Sequence, residues 1–268
     1  MVSSDGVVPA CYVLTLDSPG GRRYESAFNQ LARFSIQPKF VDGVRFEPGK
    51  TSPQYSPWLN FFHMKRRMTQ GEISVYLGHR KIWEQILNDG HEMALVLEDD
   101  FFVRNDQCFM QAIADAVAVG AYWDIVKFFD FRPKRIIQRY QVNQTNFVLH
   151  KYTGSGCVAY LIKADKAAVL LNQSAIFRPI DDDWSHPWKN NLRILSVHPN
   201  PIIEIAPELG GSLLERERVQ MKERSRNLLR SIYGNILTII KSTRSLLWQR
   251  KILGQLMPKT NGTRPKAA

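Results

Sequence analysis

Cysteine is scarce in this sequence: three residues in 268, Cys11, Cys108 and Cys157, far apart and with no Cys-x-x-Cys pair. That argues against a disulfide framework or a cysteine-based zinc module and fits a reducing compartment. Long apolar runs are lacking too, and no stretch reaches the ~20 residues that a bilayer span requires. Met1 to Pro9 contains no basic residue ahead of an apolar run. Neither a secretory signal nor a membrane span is therefore expected, which leaves the cytoplasm as the expected location. No internal repeat is visible.

Acidic residues are scarce at one end only. The whole chain carries 36 Lys and Arg against 25 Asp and Glu, a formal charge of +11. A bias of that size favours phosphates, nucleic acid or an anionic membrane surface. Residues 211–268 hold 13 basic and three acidic residues, while 1–210 hold 23 and 22. The body is nearly neutral and the tail is strongly basic, so two units are expected, 1–210 and 211–268. With 44% apolar residues, the chain can bury a substantial core.

What is present reads as an α/β protein. Residues 10–16 form a short apolar run of strand-forming residues; Ser18 and Pro19 then suggest a helix start, and Phe40-Val41 a second strand. The stretch 43–68 is loop-like. Thr69 and Glu72 have capping-box spacing ahead of Ile73, Tyr76, Leu77, Trp83 and Leu87, which recur at helical spacing until Asn88-Asp89-Gly90. Met93–Leu97 is the clearest strand, and a helix over 107–119 and a strand over 124–129 follow. Residues 131–144 are basic and polar, as in a mobile loop. Strands are expected at 147–150 and 158–162, a short helix at 165–171, and strands at 193–197 and 202–205 that close the sheet. Beyond Gly211, Leu228, Leu229, Ile232, Ile236, Ile239 and Ile240 recur at helical spacing among basic residues, an amphipathic helical tail.

The clearest chemical feature is Glu98-Asp99-Asp100, three carboxylates ending the apolar strand. Alternation along an extended chain would put Glu98 and Asp100 on one side and Asp99 on the other. The carboxyl edge of an open α/β sheet is where such folds place ligands. Carboxylate oxygens suit Mg²⁺ or Mn²⁺, which bridge diphosphates, and a cation would relieve the repulsion among the three. A solvated acidic turn is the plain alternative.

Ordered blocks surround this motif. Val13-Leu14-Thr15-Leu16-Asp17 precedes Gly21-Arg22-Arg23; Gly71-Glu72-Ile73-Ser74-Val75-Tyr76-Leu77-Gly78-His79 and Trp83 precede Ala94–Asp100. Over residues 10–185 this pattern resembles glycosyltransferase family 25, which includes bacterial lipopolysaccharide and lipooligosaccharide β-galactosyltransferases and collagen-modifying relatives. Gly78 departs from it, since the family often has Ser there. The resemblance implies a GT-A type, Rossmann-like mixed sheet flanked by helices over 1–210. It also implies a nucleotide-sugar donor such as UDP-galactose, a divalent metal (Mn²⁺ or Mg²⁺) at Glu98 and Asp100, inversion at the anomeric carbon, and a lipid-linked lipopolysaccharide-core acceptor.

Other candidates carry two readings each. Glu72 either completes the capping box or contacts substrate, and His79 either orients a carboxylate or phosphate or is a satisfied buried histidine. Arg22 and Arg23 are placed to meet a diphosphate together with Asp99, although adjacent helix residues diverge and one should face water. Lys127, inside an apolar strand, should reach solvent or find an anion. Gly154 and Ser155 either admit the acceptor to the backbone or make an ordinary turn. Asp181, Asp182 and Asp183 follow Pro179; one could take the acceptor hydroxyl's proton, while Trp184 or Trp188 could stack on a sugar face. The tail either packs on the body or binds an anionic cytoplasmic leaflet at the inner membrane face. A nucleic-acid partner is not expected, because no recognition signature accompanies the basic residues. A nucleic-acid-binding protein and a metal-dependent phosphohydrolase are the competing classes.

Overall fold

The computed structural model describes residues 8–47, 50–132, 134–211 and 228–256. In chain order the elements are β1 (Ala10–Thr15), α1 (Arg22–Ala32), β2 (Pro38–Asp42), α2 (Pro57–His63), α3 (Gln70–Asn88), β3 (Met93–Glu98), β4 (Phe101–Val103) and α4 (Asp106–Ala118). They continue with β5 (Ile125–Lys127), β6 (Ile136–Val142), β7 (Thr145–His150), β8 (Ala159–Lys163), α5 (Ala164–Leu171), α6 (Ile180–Trp184), β9 (Ile194–Val197), β10 (Ile202–Glu204) and α7 (Leu228–Ile252).

Eight strands form one mixed sheet in the order β2-β1-β3-β8-β5-β9-β7-β6. β1 runs parallel to β2 and β3, whereas β8 is antiparallel to both β3 and β5. The central strands have helices on both faces, which is why β3 reads as an unbroken apolar run instead of alternating. Leu95 and Leu97 point to one core with Phe109, Phe128 and Trp248; Ala94 and Val96 point to the other with Tyr76, Trp83 and Trp184. This is the expected mixed sheet flanked by helices.

Local details differ from the sequence reading where turn chemistry or pairing wins. Ser18 does not cap a helix: Gly21 N–H donates to the Ser18 carbonyl (2.9 Å) and Gly20 takes φ +86°, so Ser18–Gly21 is a turn. The helix starts at Arg22, and the Asp17 carboxylate accepts from Arg23 N–H at 3.0 Å. Residues 131–144 are not simply a loop. β6 pairs antiparallel with β7 through a turn at Asn143 (φ +47°), burying Tyr140 while Arg139 stays outside. The strand over 202–205 does not close the large sheet; among the described residues β10 pairs with β4 in a separate two-stranded ladder. The 43–68 stretch contains α2, with the Ser56 side chain as its cap and Pro57 in its first turn. In α3, Leu87 is exposed and Ile82 and Ile86 are buried instead.

α7 packs on the body. Trp248 and Ile252, with Leu256 just beyond, join the first core, and Trp248 Nε1 donates to the Leu192 carbonyl at 3.0 Å. The side chains of Leu228, Leu229 and Ile232 lie outside the described residues. No helix among the described residues is long and apolar enough to cross a membrane.

Candidate active site

β3 ends at Glu98, whose N–H still donates to the Val158 carbonyl at 2.8 Å; beyond it the chain turns and strand alternation stops. Asp99 and Asp100 therefore converge on Arg23, instead of pointing to opposite sides. Arg23 Nη1 lies 2.7 Å from Asp99 Oδ1 and 3.3 Å from Asp100 Oδ2. Thr15, at the end of β1, donates its hydroxyl to Asp99 Oδ2 at 2.6 Å. Arg22, one residue earlier, faces solvent.

The three carboxylates sit in different electrostatic states. Burial raises the Asp99 pKa, with Thr15 and Arg23 pulling against it. Burial and the charges of Glu98, Asp99 and Glu204 push Asp100 up to about 8, and Arg23 only partly offsets them. Asp100 Oδ1 is buried without a hydrogen-bond partner among the described residues. An orphaned carboxylate oxygen beside two more carboxylates fits a hard divalent cation, which would complete what Arg23 leaves unbalanced.

Glu98 is held from behind. Its Oε1 accepts from His79 Nε2 at 3.2 Å and from the Cys157 thiol at 2.8 Å. Burial opposes the ionised form of Glu98, but His79 and Cys157 outweigh it and lower its pKa. The same burial, with the Glu98 charge, pushes the Cys157 thiol well up, so the proton remains on sulfur. The tautomer of His79 follows from its other neighbours. Trp83 Nε1 donates to the Tyr160 oxygen (3.0 Å), so the Tyr160 hydroxyl proton goes to His79 Nδ1 (2.8 Å) and the ring proton sits on Nε2, facing Glu98. The His79, Glu98 and Cys157 ligand atoms lie within 4.8 Å of one another, a grouping a softer metal could use. With both nitrogen and sulfur already donating to one oxygen, it is a hydrogen-bonded cradle.

A cavity of about 440 Å³ opens in front of the acids. Thr15 and Arg23 line it from the first strand and helix, Arg45 and Phe46 from the loop after β2, and Gly71 and Ser74 from the start of α3. That helix end brings the positive end of its dipole to the cavity wall, while the capping box satisfies the Glu72 N–H through the Thr69 side chain at 3.1 Å. Glu72 performs the capping-box role: it exchanges hydrogen bonds with Thr69 and pairs with Arg66 Nη1 and Nη2 at 2.7 and 2.5 Å. Gly78, the departure from the family pattern, has a local reason. A Cβ there would lie 2.6 Å from Leu14 Cδ1, so glycine lets α3 pack closely on β1.

The remaining candidates divide between structure and site. Lys127 found its anion inside the protein: its ammonium contacts Asp130 Oδ1 (2.5 Å) and the carbonyls of Gly154 (2.6 Å) and Ser155 (3.3 Å). Those contacts use all three of its protons, leaving none for a donor diphosphate. Burial opposes it, yet Lys127 and His150 hold the Asp130 carboxyl well below the usual range. A Cβ on Gly154 would collide with Asp130 Oδ1, so that glycine permits the lysine anchor. Trp184 is fully buried, edge-on to Tyr160 at 4.7 Å, and has no face to offer a sugar.

In α6 the three aspartates part company. Asp183 is buried, 2.6 Å from Arg178 and accepting from the Tyr76 hydroxyl at 2.5 Å; burial outweighs Arg178 and lifts its pKa to about 6. Asp182 pairs with Lys241 of α7 and accepts from the Ser185 hydroxyl. Asp181 is half-buried and accepts from Gly156 N–H at 3.2 Å. Gly156 immediately precedes Cys157, whose thiol donates to Glu98, so the Asp181 carboxylate is anchored one residue from the Glu98 cradle. Thr15, Arg66, Arg178 and Lys241 were not singled out by the sequence. Only Thr15 lay within a recognisable block; the others act through contacts across 6, 5 and 59 positions that no spacing rule indicates.

Comparison with known proteins extends the geometry. Residues 9–184 match the family model described as glycosyltransferase family 25 (LPS biosynthesis protein). A glycosyltransferase 25 family member from Aedes aegypti is 32% identical over 146 residues, covering 52% of this chain and 22% of that protein. Procollagen galactosyltransferase 1 from Danio rerio is 33% identical over 89 residues, covering 31% and 13%. The chain thus spans about a fifth or less of the length of these relatives. A solved structure titled mannose-1-phosphate geranyltransferase, from Thermus thermophilus, aligns over 71% of this chain and 74% of its own, with TM-score 0.40 and 14% identity.

Proposed function

The chain belongs to glycosyltransferase family 25, and on that premise we propose that it transfers galactose from UDP-galactose, with inversion, to a hydroxyl of a lipid-linked lipopolysaccharide-core acceptor. The observation that carries the reading is the cavity in which an ion-paired but incompletely satisfied carboxylate cluster faces a helix N-terminus. Galactose is supported by the similarity to the procollagen galactosyltransferase of Danio rerio and the core acceptor by the family's description as LPS biosynthesis proteins.

The residues take these roles. Glu98 and Asp100, with Asp99 beside them, would hold Mn²⁺ or Mg²⁺, whose charge would offset that of the departing diphosphate. Arg23 keeps Asp99 and Asp100 together, and His79 fixes one oxygen of Glu98 so that the other is available. The start of α3 turns the positive end of its dipole toward the phosphates. Asp181 takes the acceptor hydroxyl's proton as the oxygen attacks the sugar carbon opposite the leaving group. A panel of UDP- and GDP-hexoses with and without Mn²⁺ tests this: metal-dependent hydrolysis of UDP-galactose is expected, then transfer to truncated lipopolysaccharide. Turnover of simple phosphoesters with no hydrolysis of any nucleotide sugar would instead identify a phosphohydrolase.

A further inference from the structure

α7 has two opposed faces. Ser245, Trp248, Gln249 and Ile252 lie on one side and are buried against the body. Ile236, Ile239, Ile240 and Leu247 recur on the other side, and at 50%, 67%, 44% and 59% exposure they are among the most exposed aliphatic side chains described. At about 100° per residue the centres of the two faces are roughly opposite. Packing of the first face therefore leaves the second outward.

A second apolar patch lies next to this face. Lys65, two residues past α2, donates to Asn235 Oδ1 at 2.7 Å, and a Cβ on Gly234 would run into the Lys65 side chain. α2 carries Trp58, 70% exposed, with the Phe62 ring 4.6 Å away. Within the segments that carry both patches the charge has one sign. No acidic residue occurs in 48–71 or in 224–268, while Lys65 and Arg67 follow α2, and Arg244, Arg250 and Lys251 flank the apolar stripe of α7, all exposed.

We propose that the outward face of α7, together with Trp58 and Phe62 of α2, is a docking surface for a bilayer bearing anionic headgroups. An apolar stripe flanked by basic side chains and accompanied by an exposed tryptophan is the chemistry of a helix lying in the membrane interface. Nucleic acid would use the basic residues but has no use for four outward aliphatic side chains, whereas a bilayer uses both sets. The inference rests on surface chemistry independent of donor turnover, so it stands or falls separately from the transferase reading. It also places the basic charge on a helix docked to the body, which would fix the enzyme's orientation at the surface.

The test uses the full chain with sedimenting vesicles of phosphatidylcholine alone or mixed with phosphatidylglycerol. Binding should require the anionic lipid and fall with salt. Ile236→Ser/Ile239→Ser/Ile240→Ser should weaken it at least about tenfold, as should Arg244→Gln/Arg250→Gln/Lys251→Gln. Trp58→Ser/Phe62→Ser should weaken it separately, with UDP-galactose hydrolysis in solution unchanged in all three variants. Because every substituted side chain is exposed, unaltered circular dichroism is the expected control. Unchanged vesicle binding in the serine variants overturns the proposal. So does retention on random duplex DNA, abolished by those variants, without vesicle binding.

Discussion

Asp100 is the residue at which the site is least self-sufficient. Arg23 reaches Oδ2, but Oδ1 is buried without a hydrogen-bond partner among the described residues. Saturating Mn²⁺ should therefore raise the Tm of the wild type by about 5–10 °C in differential scanning fluorimetry, the scale for a ligand near a hundredfold its Kd. Asp100→Asn should show no such shift and lose metal-dependent hydrolysis by at least about a hundredfold. Behind Glu98, the Trp83–Tyr160–His79 relay sets which ring nitrogen carries the proton. Tyr160→Phe leaves the Trp83 N–H and His79 Nδ1 without their partner, a cost of about 1–3 kcal/mol for each buried group. If His79 positions Glu98, kcat should drop more than KM changes; an effect on Tm alone would make the relay purely structural. His186 gives a pH signature. Burial and the charges of Arg178 and Lys241 lower its pKa to about 3, below the ordinary 6.5. Between those values the unfolded chain binds more protons, so stability falls as pH drops from about 6.5 toward 3. His186→Asn, which retains a donor for the Asp182 carbonyl that accepts from His186 Nδ1 at 2.7 Å, should flatten that slope in urea titrations.

Among elements, the contact between α3 and β1 decides the shape of the cavity. Gly78 allows it, and Leu14, against which a Cβ there would press, is itself a lining residue. Gly78→Ser, which installs the residue often found in the family, should cost about 1 kcal/mol, the low end for overpacking because the Leu14 methyls can move. It should also raise the KM for the nucleotide sugar, measured by donor hydrolysis; an unchanged KM would show that Leu14 relaxes away from the cavity. The same helix shows what a sequence can reveal. Its start was legible because Thr69 and Glu72 form a local capping box, and β3 because a strand buried on both faces is apolar throughout. β6 was not: its outer face is basic and polar, so Tyr140 is the one buried side chain marking it as a strand. α2 was hidden for the opposite reason, since Trp58, Phe61 and Phe62 point outward and give no inward stripe. The acidic motif was legible as a ligand site in sequence, but its directions were not, because alternation ends where β3 turns at Glu98 and Arg23 gathers the two residues beyond it.

Across the whole molecule, charge composition separates a basic tail from a neutral body, yet packing joins them. Trp248 and Ile252 sit in the same core as Leu95 and Phe109, and Lys241 neutralises Asp182 beside the proposed base. A separable tail would melt independently and its loss would leave the body's Tm unchanged. A helix that completes the core should unfold with it. Deleting residues 228–268 removes a buried tryptophan and isoleucine, each substitution of that kind being worth about 2–5 kcal/mol. The expected result is a Tm lower by the order of 10 °C at this size. Calorimetry of the full chain should show one transition, with calorimetric and van't Hoff enthalpies in agreement. Lys241→Ala separates the electrostatic link from the packing: it leaves Trp248 in place, so Tm should change little. Loss of that charge raises the Asp182 pKa toward the ordinary value and adds negative charge beside Asp181, which should move the acid limb of kcat upward in pH. An unaltered pH profile in Lys241→Ala, together with an unaltered Tm in the deletion, would return the C-terminal helix to the status of a solvated appendage.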